Sequence, residues 1–137
     1  MSQMNSDEAA VADVLVRYQN ALNSSSVDDA LKLYAPDGVF MAQNRPSSVG
    51  SKEVHTAYAQ IFQTITLDVQ FEVAEIKQLS DQWILARTNS HGVSKVNATG
   101  DRTREGNQEL FLFQKIDSDW KIARYCFSTT NPPSPGS

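Results

Sequence analysis

The sequence has very little cysteine and histidine, and these shortages exclude several kinds of site. Cys126 is the single cysteine among 137 residues, so the chain forms no internal disulfide and no metal site with several cysteine ligands. The two histidines, His55 and His91, lack the H-x-H or H-x-x-E-H spacing typical of metal sites. The few glycines form no phosphate-binding pattern. We therefore expect a domain that carries no metal and no other cofactor.

Basic charge and long apolar runs are also scarce. The 12 basic residues are outnumbered by 16 acidic ones, which gives a net charge of −4. This balance argues against binding to nucleic acid or to anionic membranes, both of which select basic surfaces. No apolar run approaches the roughly 20 residues of a membrane-spanning helix, and residues 1–10 lack the features of a signal peptide. We therefore expect a cytoplasmic protein.

The length suits one domain. A chain of 137 residues with 40% hydrophobic residues is long enough to bury one core. Three prolines, a glycine and two serines make up residues 132–137. We expect a single domain over residues 6–131, followed by a disordered tail over residues 132–137.

Two helix starts are visible near the N-terminus. Asn5 is followed three residues later by Glu8, which is the spacing of a capping box. The apolar residues that follow recur on one helical face, which predicts a helix from Asn5 or Ser6 onward. Ser26 and Asp29 repeat the start signal before a short second helix.

Residues 36–65 contain turn-forming residues followed by one strong helical pattern. Pro36-Asp37-Gly38 predicts a turn, residues 39–42 a short strand, and residues 43–50 a loop. Ser51 is expected to cap a third helix. The apolar stripe of this helix has the clearest 3.6-residue period in the chain and contains Val54, Ala57, Tyr58, Ile61, Phe62 and Ile65.

The remainder reads as long strands. From Asp68 the apolar period is two residues, and it slips by one at Ala74 and Ile76, which predicts a bulge. Further strands are expected over residues 83–96, 103–115 and 120–127. Helices followed by an antiparallel meander predict an α+β domain, in which three helices pack on the concave face of a cone-shaped, curved antiparallel sheet. Such a cone encloses a cavity suited to a small molecule.

One strand predicts a partner. The segment Leu110-Phe111-Leu112-Phe113 is apolar on both faces, so both of its faces need cover. Three helices cover one face of the sheet only. We therefore expect a homodimer formed through the open sheet face.

Short stretches spread over nearly the whole chain carry a family resemblance. They are Arg17-Tyr18-x-x-Ala21-Leu22-Asn23, Tyr34-Ala35-Pro36-Asp37-Gly38-Val39-Phe40, Gly50-x-x-x-Val54, Ala86-Arg87-Thr88-x-Ser90-x-Gly92, Asn107-x-Glu109-Leu110-Phe111 and Trp120-Lys121-Ile122-Ala123-Arg124-Tyr125. With them the sequence resembles the nuclear transport factor 2-like superfamily, in particular its SnoaL-like branch of small bacterial proteins. The resemblance implies the cone fold. It leaves the activity open, because this fold hosts isomerases, dehydratases, epoxide hydrolases, cyclases and non-catalytic domains.

The ketosteroid isomerase-like members provide the first comparison of residues. They use a tyrosine on the first helix as an oxyanion donor and a carboxylate base shortly after the Y-A-x-D turn. Tyr18 matches the tyrosine, either as a donor or as part of the pocket wall. Ala42 falls where the base would be, which argues against isomerase chemistry of that type.

Other members use different charged arrays. Scytalone dehydratase-like members need a histidine–carboxylate pair; here His55 is expected in solvent, and His91 could point into the cavity or away from it. Epoxide hydrolase-like members use a carboxylate–arginine–carboxylate array, for which Arg87, Glu109 and Arg124 are the candidates. If Lys115 pairs with Trp120, Glu109 and Arg124 become diagonal neighbours on one face. They would then form a structural ion pair, orient a ligand or take part in catalysis.

The favoured function is binding of a small, partly apolar organic molecule. The alternatives are a cofactor-independent acid–base enzyme acting on such a molecule, and an assembly domain like the association domain of calcium/calmodulin-dependent kinase. The catalytic candidates are Tyr18, Glu109 and Arg124. The ligand-binding candidates are Phe40, Tyr58, Phe62, Arg87, His91, Asn107 and Phe111.

Overall fold

Three helices and a six-stranded sheet make up the computed structural model, which describes residues 4–132. The helices are α1 (Ser6–Asn23), α2 (Val27–Leu31) and α3 (Gly50–Thr64). The strands are β1 (Tyr34–Met41), β2 (Ser48–Val49), β3 (Ile65–Ser80), β4 (Trp83–Val96), β5 (Arg102–Ile116) and β6 (Asp119–Thr129). The predicted tail lies outside the described residues, apart from Pro132.

The strands form one curved sheet in the order β2-β1-β6-β5-β4-β3. Strands β3 to β6 form the predicted antiparallel meander, and the bulge in β3 lies between Val73 and Glu75. The α+β cone is therefore confirmed. The sheet is mixed, because β1 lies parallel to β6, a pairing between distant segments that the local pattern does not reveal. No helix within the described range is long and apolar enough to cross a membrane.

The first two helices begin at the predicted caps. Asn5 accepts a hydrogen bond from the Glu8 amide at 2.8 Å, and Glu8 accepts one from the Asn5 amide at 3.0 Å, which completes a capping box. Ser26 accepts from the Asp29 amide at 3.2 Å. Side chains thus satisfy amide groups that the first helical turn leaves without partners.

Two local predictions were wrong. The third helix begins at Gly50 and has no side-chain cap; Ser51 lies inside its first turn, where the hydroxyl donates to the Pro36 carbonyl at 3.3 Å instead of capping the helix. Residues 36–38 lie inside β1 instead of forming a turn. The register of β1 against β6 shifts between Tyr34 and Val39. Pro36, Asp37 and Gly38 therefore form an irregularity within a paired strand.

Side chains of α1 fasten this helix to the sheet edge. Asn23 donates to the Val69 carbonyl and accepts from the Val69 amide, both at 2.9 Å. Gln19 accepts from the Phe71 amide at 2.8 Å. Strand β3 is an edge strand, so these side chains pair backbone groups that have no neighbouring strand. The C-terminal half of α1 is thereby held above the concave face.

Stacked aromatic rings form the centre of the core. Phe111 lies on Tyr125 with ring centroids 4.1 Å apart, and Tyr125 is followed by Phe40 at 5.7 Å. Phe40 stacks in turn on Tyr58 of α3 at 4.6 Å. This series of rings joins the sheet to the helical layer, and it ends at the cavity described below.

Candidate functional site

A cavity of about 320 Å³ lies between the helices and the concave face of the sheet. Its volume falls at the lower end of the range of small-molecule pockets. The apolar part of its lining includes Leu22, Phe40, Ala42, Ile61, Ile65, Leu67, Val69, Phe71 and Phe127. The polar part includes Tyr18, Gln43, Asn44, Arg45, Tyr58, Ser90, Glu105, Asn107, Glu109, Tyr125 and Thr129.

Glu109 is the buried acid of this cavity, with a relative exposure of 5%. The register of β4 against β5 places Thr88 directly opposite it and Ser90 on the diagonal. Each hydroxyl donates to one of the two carboxyl oxygens, and both oxygen–oxygen distances are 2.6 Å. No cation within residues 4–132 forms an ion pair with it.

Burial controls the ionisation of Glu109. Removal from water raises its pKa, and the two hydroxyl donors offset part of this rise because they stabilise the carboxylate. A carboxyl group in this environment gains a proton more readily than an exposed one. It can then donate a hydrogen bond to a ligand oxygen, as well as accept one.

Four buried tyrosines form a second polar group in this part of the core. The Tyr58 hydroxyl shares hydrogen bonds of 2.6 Å with the hydroxyls of both Tyr18 and Tyr34. Burial raises the pKa of Tyr18, Tyr34, Tyr58 and Tyr125, and the charge of Glu109 raises those of Tyr18 and Tyr125 further. These phenols therefore stay neutral and can serve as hydrogen-bond donors.

The structure brings half of the predicted site residues together. Tyr18, Phe40, Tyr58, Asn107 and Glu109 all line the cavity. Two other candidates, Phe62 and Phe111, are buried beside it without lining it. Phe111 packs against the rings of Tyr18 and Tyr125, so it supports the wall of the cavity.

The predicted proximity of Glu109 and Arg124 was wrong. Lys115 does pair with Trp120, but the register shifts between Leu112 and Phe113. Beyond this bulge Glu109 lies opposite Phe127, while Arg124 lies opposite Leu112. A shift of one residue moves a side chain to the other face of a sheet, so Arg124 is exposed outside the cone.

The other two candidates from the charged arrays, Arg87 and His91, also lie on the outer face. Arg87 pairs with Glu75, with Nε and Oε1 2.6 Å apart. His91 Nε2 lies 3.0 Å from Oε1 of Glu72. Buried Thr88 and Ser90 alternate with these exposed residues along β4, so the cavity side of this strand presents hydroxyls in place of cations.

Several cavity residues were missed by sequence reasoning. Thr88 and Ser90 donate to the buried acid, and Tyr125, Arg45 and Glu105 line the cavity. A usable signal existed for two of them. Thr88 and Ser90 share the period-two face of Ala86, which marks them as partners for a buried polar group.

Three helices packed on the concave face of a curved six-stranded sheet are the fold of the nuclear transport factor 2-like α+β domains. The family model described as "SnoaL-like domain" matches residues 11–132, and the chain belongs to this family. The suspected resemblance is therefore confirmed. A comparison with curated proteins gives no match.

Several solved structures share the fold, and the first described here is also similar in sequence. A ketosteroid isomerase-like protein from Erwinia carotovora atroseptica is 33% identical, with a TM-score of 0.90, and the match covers 94% of this chain and 100% of that one. An NTF-2 like protein of unknown function from Shewanella oneidensis is 19% identical, with a TM-score of 0.71 and coverage of 89% and 98%. A hexachlorocyclohexane dehydrochlorinase is 8% identical, with a TM-score of 0.80 and coverage of 96% and 95%. The last two are similar in fold alone.

Proposed function

We propose that this domain binds a small, largely apolar organic molecule whose oxygen is held by Glu109 and Tyr18. The supporting observation is the buried Glu109 carboxyl group, which lines a largely apolar cavity, accepts from two hydroxyls and forms no ion pair with any of residues 4–132. A carbonyl or phenolic oxygen suits this environment, because neutral phenols and a protonated carboxyl group can both donate to it. The apolar lining would bind the rest of the molecule through the hydrophobic effect.

Ligand binding tests this function directly. A metabolite library is screened by native mass spectrometry, and each compound that binds is titrated calorimetrically against the protein and against its Glu109→Leu variant. We expect the variant to bind about 10-fold more weakly or worse, because a lost hydrogen bond to a charged or buried group costs about 1.5–3 kcal/mol. The matched control is Glu75→Gln on the outer face, which should bind normally.

The pH dependence of binding shows whether protonation of Glu109 strengthens or weakens ligand affinity. The raised pKa means that Glu109 loses its proton over a higher pH range than an exposed glutamate. Affinity for an oxygen acceptor should therefore be highest at low pH and fall as the pH rises through that range, whereas Glu109→Gln should show no such fall. A domain that binds nothing, or binds equally well without Glu109, contradicts the proposal.

The same groups would also support acid–base catalysis, which is the second candidate. Glu109 would exchange a proton with the bound molecule, and Tyr18 would stabilise charge on its oxygen. Ala42 lines the cavity without a carboxylate, so a base at that position is missing. Mass spectrometry of each bound compound after incubation distinguishes the two functions, since binding alone leaves its mass and isomer composition unchanged.

We also propose that a second copy of the chain covers the outer face of the sheet. Leu110 is 43% exposed there, beside part-buried Leu85, Leu112 and Cys126 on neighbouring outer positions. An apolar strip in the middle of a sheet is typical of an interface between subunits.

Light scattering after size exclusion tests the dimer. We expect the protein to elute as a dimer and Leu110→Glu to elute as a monomer, because a carboxylate placed in the apolar strip would have to lose its hydration when the second copy covers it. Leu79→Glu, at a position that is 52% exposed near the end of edge strand β3, is the matched control and should remain dimeric. A monomeric parent protein contradicts this interface.

A further inference from the structure

Glu105 marks the outer end of the cavity wall formed by β5. Glu105, Asn107 and Glu109 alternate along this strand and all line the cavity. Four residues of antiparallel strand span roughly 13–14 Å, so a ligand that reaches Glu109 can extend past Asn107 to Glu105. The residue opposite Glu105 on β4 is Gly92, so no side chain on that strand faces Glu105 directly.

No residue in the described part of the chain neutralises this carboxylate. Within residues 4–132, Glu105 takes part in no ion pair, and the residues that line the cavity beside it, such as Ser90, Asn107 and Thr129, are uncharged. Arg45 is the cation of the described lining, and its guanidinium donates instead to Gln60 of α3. Residues 133–137 contain no cationic side chain.

A part-buried carboxylate without a partner favours a cationic ligand. Its loss of hydration is compensated when an ammonium group donates to it, and such charge-assisted bonds are stronger than neutral ones. An anionic group at the same place would meet repulsion from Glu105.

We propose that the cavity selects molecules whose outer end carries a protonated amine, and that Glu105 is the residue that binds this ammonium group. This inference rests on the proposed binding of a small apolar molecule at Glu109. It adds a prediction about the charge of the ligand, because the residues around Glu109 do not select for that charge. Glu105 is accordingly a specificity-determining residue.

Three probes with one ring system test the inference. They are 6-(2-aminoethyl)-2-naphthol, 6-(2-hydroxyethyl)-2-naphthol and 6-hydroxy-2-naphthylacetic acid, titrated calorimetrically at pH 7. We expect the amine to bind about 10-fold more tightly than the alcohol, and the acid to bind most weakly. Glu105→Gln should weaken binding of the amine about 10-fold and so remove its preference over the alcohol. Glu72→Gln on the outer face is the matched control and should keep the preference.

The outcomes separate this inference from the function on which it rests. Equal binding of the amine and the alcohol, or an amine preference that survives in Glu105→Gln, overturns the role of Glu105 and leaves small-molecule binding intact. Failure of all three probes to bind, at a concentration where the folded protein is shown to be intact, contradicts both proposals.

Discussion

Replacement of Gly92 by alanine is expected to destabilise the domain severely. A Cβ atom at this position would lie 2.1 Å from the carbonyl oxygen of Asp68 and 2.7 Å from the Cα of Val69. These are backbone atoms of the paired strand β3, so they cannot move without separating the two strands. The φ of Gly92 is +154°, a conformation that side-chain-bearing residues rarely adopt. Overpacking and backbone strain together should cost about 3 kcal/mol or more.

Urea denaturation of the purified variant measures this cost. Gly100→Ala is the matched control, because Gly100 also has a positive φ, of +78°, but a Cβ atom added there would meet no atom within 4 Å. The control therefore reports the backbone strain without the collision and should lose only about 1 kcal/mol. Equal losses in the two variants would show that the close approach of β3 and β4 at Gly92 does not hold.

Phe111→Ala is the second substitution with a large expected effect. Phe111 is fully buried, lies 4.1 Å from the ring of Tyr125, and meets the ring of Tyr18 edge-on at 5.6 Å. Removal of the ring leaves a void in the centre of the core, and truncations of this kind cost about 3–5 kcal/mol. Tyr18 and Tyr125 would also lose the support that sets their positions in the cavity wall.

Two measurements identify this effect. Urea denaturation should show the full loss for Phe111→Ala and a loss of less than about 1 kcal/mol for Leu79→Ala, since Leu79 is 52% exposed. Phe111→Leu keeps most of the buried volume and should recover much of the stability and of the ligand affinity. A loss in Phe111→Ala no larger than in Leu79→Ala would contradict the central role of the ring stack.

Local signals in the sequence were sufficient for most elements. The Asn5–Glu8 capping box and the period-two segment over residues 83–96 each depend on neighbours a few residues away, and both are found in the structure. The bulge near Ala74 could also be predicted, because an extra residue in a strand shifts the alternation of apolar and polar residues by one position. The α+β cone follows from the order of these elements, and the family stretches agree with it.

The location of the charged side chains was beyond local signals. Alternation divides a strand into two faces, but it does not show which face the helices cover. The sequence therefore does not predict whether His91 points into the cavity or away from it. Arg124 was assigned to the wrong face because the bulge after Leu112 has no mark in the sequence, and a single unpaired residue reverses every side chain beyond it.

By itself the sequence determined the α+β fold class and the SnoaL-like family, with Tyr18 and Glu109 among the candidates and no carboxylate at Ala42. Tertiary structure alone decided that β1 pairs with β6, that Thr88 and Ser90 donate to Glu109, and that the arginine candidates lie outside the cone. The physical reason is that helix caps and strand periods are set by neighbours in the chain. The environment of a buried charge is set instead by strand register, which joins residues about twenty positions apart.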